Sequence, residues 1–91
     1  MNFAELLRTF ESVSSLAELK TVLEVIAGPG TYRIEIWVNH SNANAPYHGR
    51  VYSQGKNGDE LEDFPWVDER TEDAAIHSAL EFVEERVAGR S

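Results

Sequence analysis

The sequence predicts a single small α+β domain with the order helix, three antiparallel strands, helix. Its 91 residues are too few to form two stable hydrophobic cores, so residues 1–91 are assigned to one domain. Apolar residues recur at helical spacing near both ends of the chain, whereas the middle alternates between apolar and polar residues. We therefore expect a three-stranded meander with the helices packed on one face.

The first helix is expected in two pieces. Asn2 with Glu5 has the spacing of a capping box, and Ser15 with Glu18 repeats that spacing. An apolar stripe follows each cap: Phe3, Leu6, Leu7 and Phe10 in the first piece, and Leu16, Leu19, Leu23 and Ile26 in the second. The sequence Gly28-Pro29-Gly30 then reads as a helix stop, because glycine supplies a left-handed cap and proline cannot continue the helix.

Three strands and a final helix should follow. Residues 31–39 alternate, with Tyr32, Ile34, Ile36 and Val38 directed to one face. Residues 47–54 form the second strand, which a hairpin at Asn57-Gly58 connects to a third strand over 60–67. Pro65 restricts that third strand to a sheet edge. Thr71 caps the last helix, whose buried stripe is Ile76, Ala79, Leu80, Val83 and Val87.

This element order resembles that of double-stranded-RNA-binding domains. The resemblance implies only a topology, since those domains carry lysines at the start of the last helix. Here the sequence at that position is Thr71-Glu72-Asp73-Ala74-Ala75, which contains no basic residue. RNA binding of the kind found in that family is therefore not expected.

Charge is distributed very unevenly along the chain. Residues 1–56 hold five acids and five bases, whereas residues 57–91 hold eleven acids and three arginines. The whole net charge of −8 therefore comes from the last third. Direct binding to nucleic acid or to an anionic membrane is not expected, because both depend on basic residues. The partner is expected to be another protein with a basic surface.

Several chemical functions lack the residues they need. No cysteine is present, and His40, His48 and His77 have no zinc-site spacing, so neither a metal nor a cofactor is expected. No nucleophile motif or phosphate-binding loop occurs, so an enzyme is not expected. The N-terminus lacks a signal-peptide pattern and no apolar run could span a bilayer, which makes the cytoplasm the expected location.

The candidate binding site is the segment 59–73, where eight carboxylates surround Phe64 and Trp66. In the functional interpretation the carboxylates attract a basic surface and Trp66 binds to it through burial of its ring. The expected partner-binding residues are Glu60, Glu62, Asp63, Trp66, Asp68, Glu69, Glu72 and Asp73. The alternative is that the charges only solvate an edge strand while the two rings pack in the core.

These features favour a non-enzymatic acidic protein-binding module. Its partner would be a protein whose basic surface normally holds nucleic acid. Inhibitors carried by phages or mobile elements, anti-CRISPR proteins among them, and immunity proteins against nuclease toxins have this size and charge. Two other hypotheses stay open: a structural domain that forms a homodimer through its sheet, using Trp37 and Tyr52, and a small enzyme or ligand binder using His48 or His77.

Overall fold

The structure is a computed structural model that describes residues 3–89. It has an α+β fold whose elements, in chain order, are helix α1 (Phe3–Thr9), strands β1 (Ala17–Ala27), β2 (Gly30–Asn39), β3 (Tyr47–Gly55) and β4 (Gly58–Leu61), and helix α2 (Glu72–Ala88). The strands form one antiparallel sheet in the order β1-β2-β3-β4. The α+β class and the small size predicted from the sequence are confirmed, with helices at both ends of the chain.

The segment 15–27 differs from expectation: the prediction of a second helical piece there is wrong. It forms β1, so the sheet has four strands instead of three. In β1 the half-buried Thr21, Leu23, Val25 and Ala27 alternate with exposed residues, which is the two-residue period of a strand. The Leu16–Ile26 stripe fits a helix equally well on spacing, but β-branched residues in the segment favour a strand.

Gly28 and Pro29 make a hairpin turn between β1 and β2. Ala27 pairs with Gly30 across the turn, and Gly28 has a φ of 59°. A positive φ at the first central position of a two-residue loop is typical of a type II′ turn, which glycine adopts without steric cost. The sequence Gly28-Pro29-Gly30, which was interpreted as the end of a helix, therefore reverses the chain between two strands.

Helix α2 forms a hydrophobic core with one face of the sheet. Tyr32, Ile34 and Ile36 of β2 and Val51 of β3 are fully buried beneath it, in the alternation that the sequence predicts. Helix α2 contributes the buried residues Ala75, Ala79 and Val83 to this core. The helix begins as predicted, because the Thr71 hydroxyl accepts a hydrogen bond from the amide of Ala74. The opposite face of the sheet, called here the open face, is not covered by α2.

The chain from β4 to α2 follows the outer edge of β3. Strand β4 is shorter than the predicted 60–67, because regular pairing ends at Leu61 opposite Tyr52. Two backbone hydrogen bonds between Tyr47 and Glu69 rejoin the segment to β3. Pro65 lies between these two points, where its missing N–H disturbs no ladder.

Helix α1 lies apart from this core. Within residues 3–89 its Cα atoms lie more than 8 Å from those of every strand and of α2, and Phe10 just after it is exposed. The predicted Asn2 cap lies outside the described residues. Neither described helix is both long enough and apolar enough to cross a membrane.

Candidate functional site

The predicted partner-binding carboxylates fall into two groups. Glu60, Asp63 and Asp73 are exposed, and none of them forms an ion pair with another described residue. Asp68 is also exposed, and it accepts a long hydrogen bond of 3.4 Å from the Asn42 amide. These four side chains are accessible to a partner.

The other three carboxylates are engaged within the molecule. Glu62 lies 3.4 Å from the guanidinium of Arg86 on α2 and is mostly buried. Glu69 accepts a hydrogen bond from the Ser78 hydroxyl, and Glu72 accepts one of 2.5 Å from the Thr21 hydroxyl of β1. These contacts join the segment 62–72 to α2 and to the sheet, so the three side chains contribute to the fold.

Helix α2 adds further carboxylates on the side away from the sheet. Since Ala75, Ala79 and Val83 face the core, the helical period turns Asp73, Glu81, Glu84 and Glu85 to solvent, where all four are exposed. Glu60 pairs with Ser53, which places its side chain on the same side of the sheet as α2. We call these five residues, Glu60, Asp73, Glu81, Glu84 and Glu85, the acidic surface.

A histidine lies among these carboxylates. His77 is exposed on α2, and its Nδ1 is 3.5 Å from Glu81. Arg86 is the basic residue of the last turn, but it contacts Glu62 and the face of the Phe82 ring. Apart from the His77–Glu81 contact, the five carboxylates of the acidic surface form no ion pair with another described residue.

Phe64 and Trp66 lie on opposite sides of the sheet. Phe64 packs against Phe82 of α2, with ring centroids 5.2 Å apart, and belongs to the core. Trp66 is 60% exposed and stacks on His48 of β3, with ring centroids 3.9 Å apart. Trp66 therefore both covers His48 and offers an exposed ring to a partner.

Among the described residues, His48 is the polar residue that is fully buried, with 1% of its surface exposed. Neither ring nitrogen has a hydrogen-bond partner among the described residues. Burial, and then the charge of Arg50, lower the pKa of His48, while Asp68 acts in the opposite direction. Sequence analysis missed this burial, because His48 alternates with core residues and so belongs to the open face. The cover comes from Trp66, eighteen positions further on, which no local pattern reveals.

The open face carries a row of aromatic rings and arginines. Arg50 lies over Trp37, 4.8 Å from the ring centroid, and Arg33 lies over Tyr52 at 4.5 Å. Trp37 and Tyr52 are half-buried, and Arg33 also contacts Glu35 and Asp59. The expected exposed aromatic patch is thus partly covered by these cation–π contacts. Cross-strand pairing could have indicated Arg50, since it lies opposite Glu35 and beside Trp37.

The described residues contain no group of three or more histidine and carboxylate side chains that could hold a metal ion. Comparison with known proteins found no matching family model, no matching curated protein and no matching solved structure.

Proposed function

We propose that this chain is a non-enzymatic protein-binding module whose acidic surface docks on a basic surface of another protein. The observation that supports the proposal is the division of α2 into two faces. Its apolar face forms the core, while Asp73, Glu81, Glu84 and Glu85 stand exposed on the other. Four of the eleven acids of the last third therefore lie exposed on α2, away from the sheet.

The spacing of these carboxylates suits a groove that holds nucleic acid. Glu81 lies three and four positions before Glu84 and Glu85, so their Cβ atoms are about 5–6 Å apart. Negative charges along duplex DNA recur on a similar scale, about 3.4 Å per strand along the axis. Such a surface attracts a basic groove at long range and accelerates association.

The partner class follows from this charge. We propose a cytoplasmic protein that binds DNA or RNA through lysines and arginines, and that this module inhibits by occupying the groove. An anti-defence inhibitor or an immunity protein against a nuclease toxin would act in this way. Trp66, at the rim of the open face, would add an aromatic contact if the partner extends around the β4 edge.

A matched pair of charge reversals tests the proposal. The tagged protein, Glu84→Lys/Glu85→Lys and Glu11→Lys/Glu18→Lys are each used to purify partners from the native cell, with quantification by mass spectrometry. Both variants change net charge equally, and all four positions are exposed. We expect a nucleic-acid-binding protein that the wild type and the Glu11/Glu18 variant recover and the Glu84/Glu85 variant loses at least tenfold.

Competition then identifies the kind of surface that is bound. Duplex DNA and rising salt should each displace the recovered protein from the wild type, because the contact would consist of charges that substitute for phosphates. Equal loss of the partner in both variants, or a partner that DNA does not displace, would contradict docking through the acidic surface.

A further inference from the structure

The outer edge of β3 has a gap in its hydrogen bonding at Gly49. On one side of the gap Tyr47 exchanges two hydrogen bonds with Glu69, and on the other the carbonyl of Val51 accepts one from the amide of Glu62. Because direction alternates along a strand, the N–H and C=O of Gly49 face the same outer edge. Within residues 3–89 no backbone hydrogen bond pairs these two outward groups, so they are available to a ligand.

A cavity of about 370 Å³ lies at this gap. Gly49 and Arg50 of β3 form its polar wall, and Leu61, Phe64 and Trp66 form its apolar walls. Small-molecule sites have volumes of roughly 300–1,000 Å³. The cavity is at the lower end of that range, which suits a ligand of one or two rings.

Arg50 contributes to this cavity a positive charge without an ion-pair partner among the described residues. Glu35 lies opposite it in the β2–β3 register, but the Glu35 carboxylate contacts Arg33 at 3.4 Å and accepts a 3.2 Å hydrogen bond from the Trp37 indole. The Arg50 guanidinium lies 6.0 Å from the centroid of the Trp66 ring, within reach of a ligand that stacks there. A guanidinium recognises a planar carboxylate through two parallel hydrogen bonds.

The other charges near the cavity limit the ligand to a single negative charge. Glu62 also lines the cavity, and its carboxylate lies 3.4 Å from the guanidinium of Arg86. The whole chain carries a net charge of −8. A nucleotide or another polyanion would be repelled by this field, whereas a monoanion needs only Arg50.

We infer that this cavity binds a small aromatic monocarboxylate. The carboxylate accepts hydrogen bonds from the Arg50 guanidinium and from the outward N–H of Gly49. The ring lies against Trp66 and Phe64, where aromatic groups make offset or edge-to-face contacts. The site is at the edge of β3 and not on the acidic surface, so this inference is independent of the proposed function.

Three probes separate the role of the charge from that of the ring. Benzoate has both, benzamide has the ring without the charge, and acetate has the charge without the ring. Each is titrated at constant ionic strength while NMR follows the Gly49 amide and the Trp66 indole N–H. We expect benzoate to shift both signals with a dissociation constant of about 1 mM or below, a value within reach of a ligand of this size. Benzamide and acetate should each bind at least tenfold more weakly. No shift with benzoate, or equal binding of benzoate and either other probe, overturns the inference.

A matched pair of variants tests the role of Arg50. Arg50→Gln and Lys56→Gln each remove one positive charge, but Lys56 is exposed in the β3–β4 turn and does not line the cavity. We expect Arg50→Gln to raise the benzoate dissociation constant at least tenfold and Lys56→Gln to leave it within twofold of the wild type. Circular dichroism checks that both variants are folded. Equal effects of the two variants overturn the role of Arg50.

A second pair of variants does not depend on the folding of Arg50→Gln. Leu61 is 60% exposed and Ile26, on β1 at the opposite edge of the sheet, is 76% exposed, so an aspartate at either position leaves the core intact. In Leu61→Asp the new carboxylate lies at the cavity and competes for Arg50, which should raise the benzoate dissociation constant at least tenfold. Ile26→Asp adds the same charge away from the cavity and should change it less than threefold. An unchanged dissociation constant in Leu61→Asp overturns the assignment of the ligand to this cavity.

Discussion

At the scale of single residues, the burial of His48 predicts that the stability of this protein depends on pH. Its ring is buried beneath Trp66, neither ring nitrogen has a hydrogen-bond partner within residues 3–89, and burial lowers its pKa below the usual value of 6.5. The unfolded chain therefore binds a proton more readily than the folded chain. Stability is fully present above about pH 6.5 and is lost as the pH falls towards the folded pKa.

We expect the free energy of unfolding to decrease by up to about 1.4 kcal/mol per pH unit below pH 6.5. His48→Phe should remove this dependence without weakening the protein at neutral pH, because a ring without hydrogen bonds is replaced by an apolar ring. Urea unfolding from pH 7.5 to 5.5 measures the effect, with the exposed His77→Gln as control. An unchanged slope in His48→Phe would contradict the assignment.

Gly28 is the glycine at which the fold leaves the least room for an added side chain. Its φ is 59°, and an added Cβ would lie 2.9 Å from Cγ1 of Val87. We expect Gly28→Ala to lower the free energy of unfolding by more than about 1 kcal/mol, because strain and a steric clash add together. Gly49→Ala is the control: no positive φ applies there, and its Cβ would meet only ordinary contacts of 3.5 Å or more. Chemical denaturation that finds equal losses would contradict this account.

At the scale of elements, local pattern predicted α2, β2 and β3 and failed at β1. The alternation of Tyr32, Ile34 and Ile36 is compatible with a strand and not with a helix, and the apolar stripe of α2 is compatible with a helix and not with a strand. Residues 16–27 carry both periods, so they are decided by pairing with β2, which is a non-local contact. The open apolar cleft that Val25 and Ala27 of β1 form with Leu80 and Val87 of α2 was equally inaccessible to prediction, since it exists only when β1 is a strand.

Helix α2 offers a test of its own electrostatics. Asp73 lies in its first turn and Glu85 in its last, and both are exposed and without an ion pair among the described residues. The helix dipole stabilises a negative charge at the first position and destabilises one at the second. We expect Asp73→Asn to lower the free energy of unfolding by about 0.5 kcal/mol and Glu85→Gln to raise it by a similar amount. Thermal unfolding with changes of the same sign would show that total charge outweighs the dipole.

At the scale of the whole molecule, the composition predicted the net charge, but the fold determines which of the charged side chains are exposed. The sequence located eleven acids in residues 57–91, but not which of them are engaged in contacts within the fold. Glu62 meets Arg86 24 positions away, and Glu72 meets Thr21 across 51 positions. Such distant contacts follow from packing and not from spacing. The acidic surface therefore lies mainly on α2, and not on the segment that the sequence predicted.

This concentration of charge should make stability depend on salt. The Debye length is about 30 Å at 0.01 M salt and about 8 Å at 0.15 M, whereas the two shorter dimensions of the molecule are 27 and 19 Å. At low salt every carboxylate of the acidic surface repels the others, and at physiological salt only near neighbours do. We therefore expect the free energy of unfolding, at fixed protein concentration, to rise between these two conditions.

The location of the repulsion can be separated from net charge. Glu84→Gln/Glu85→Gln and Glu11→Gln/Glu18→Gln remove the same charge, but only the first pair belongs to the acidic surface. The first variant should show a markedly smaller rise in stability with salt than the wild type, because close like charges have been removed. The second leaves those charges in place and removes acids from a stretch whose charges balance, so its rise should stay close to that of the wild type. Urea denaturation at both salt concentrations measures the difference, and an equal reduction in both variants would mean that repulsion is spread over the molecule instead of concentrated at α2.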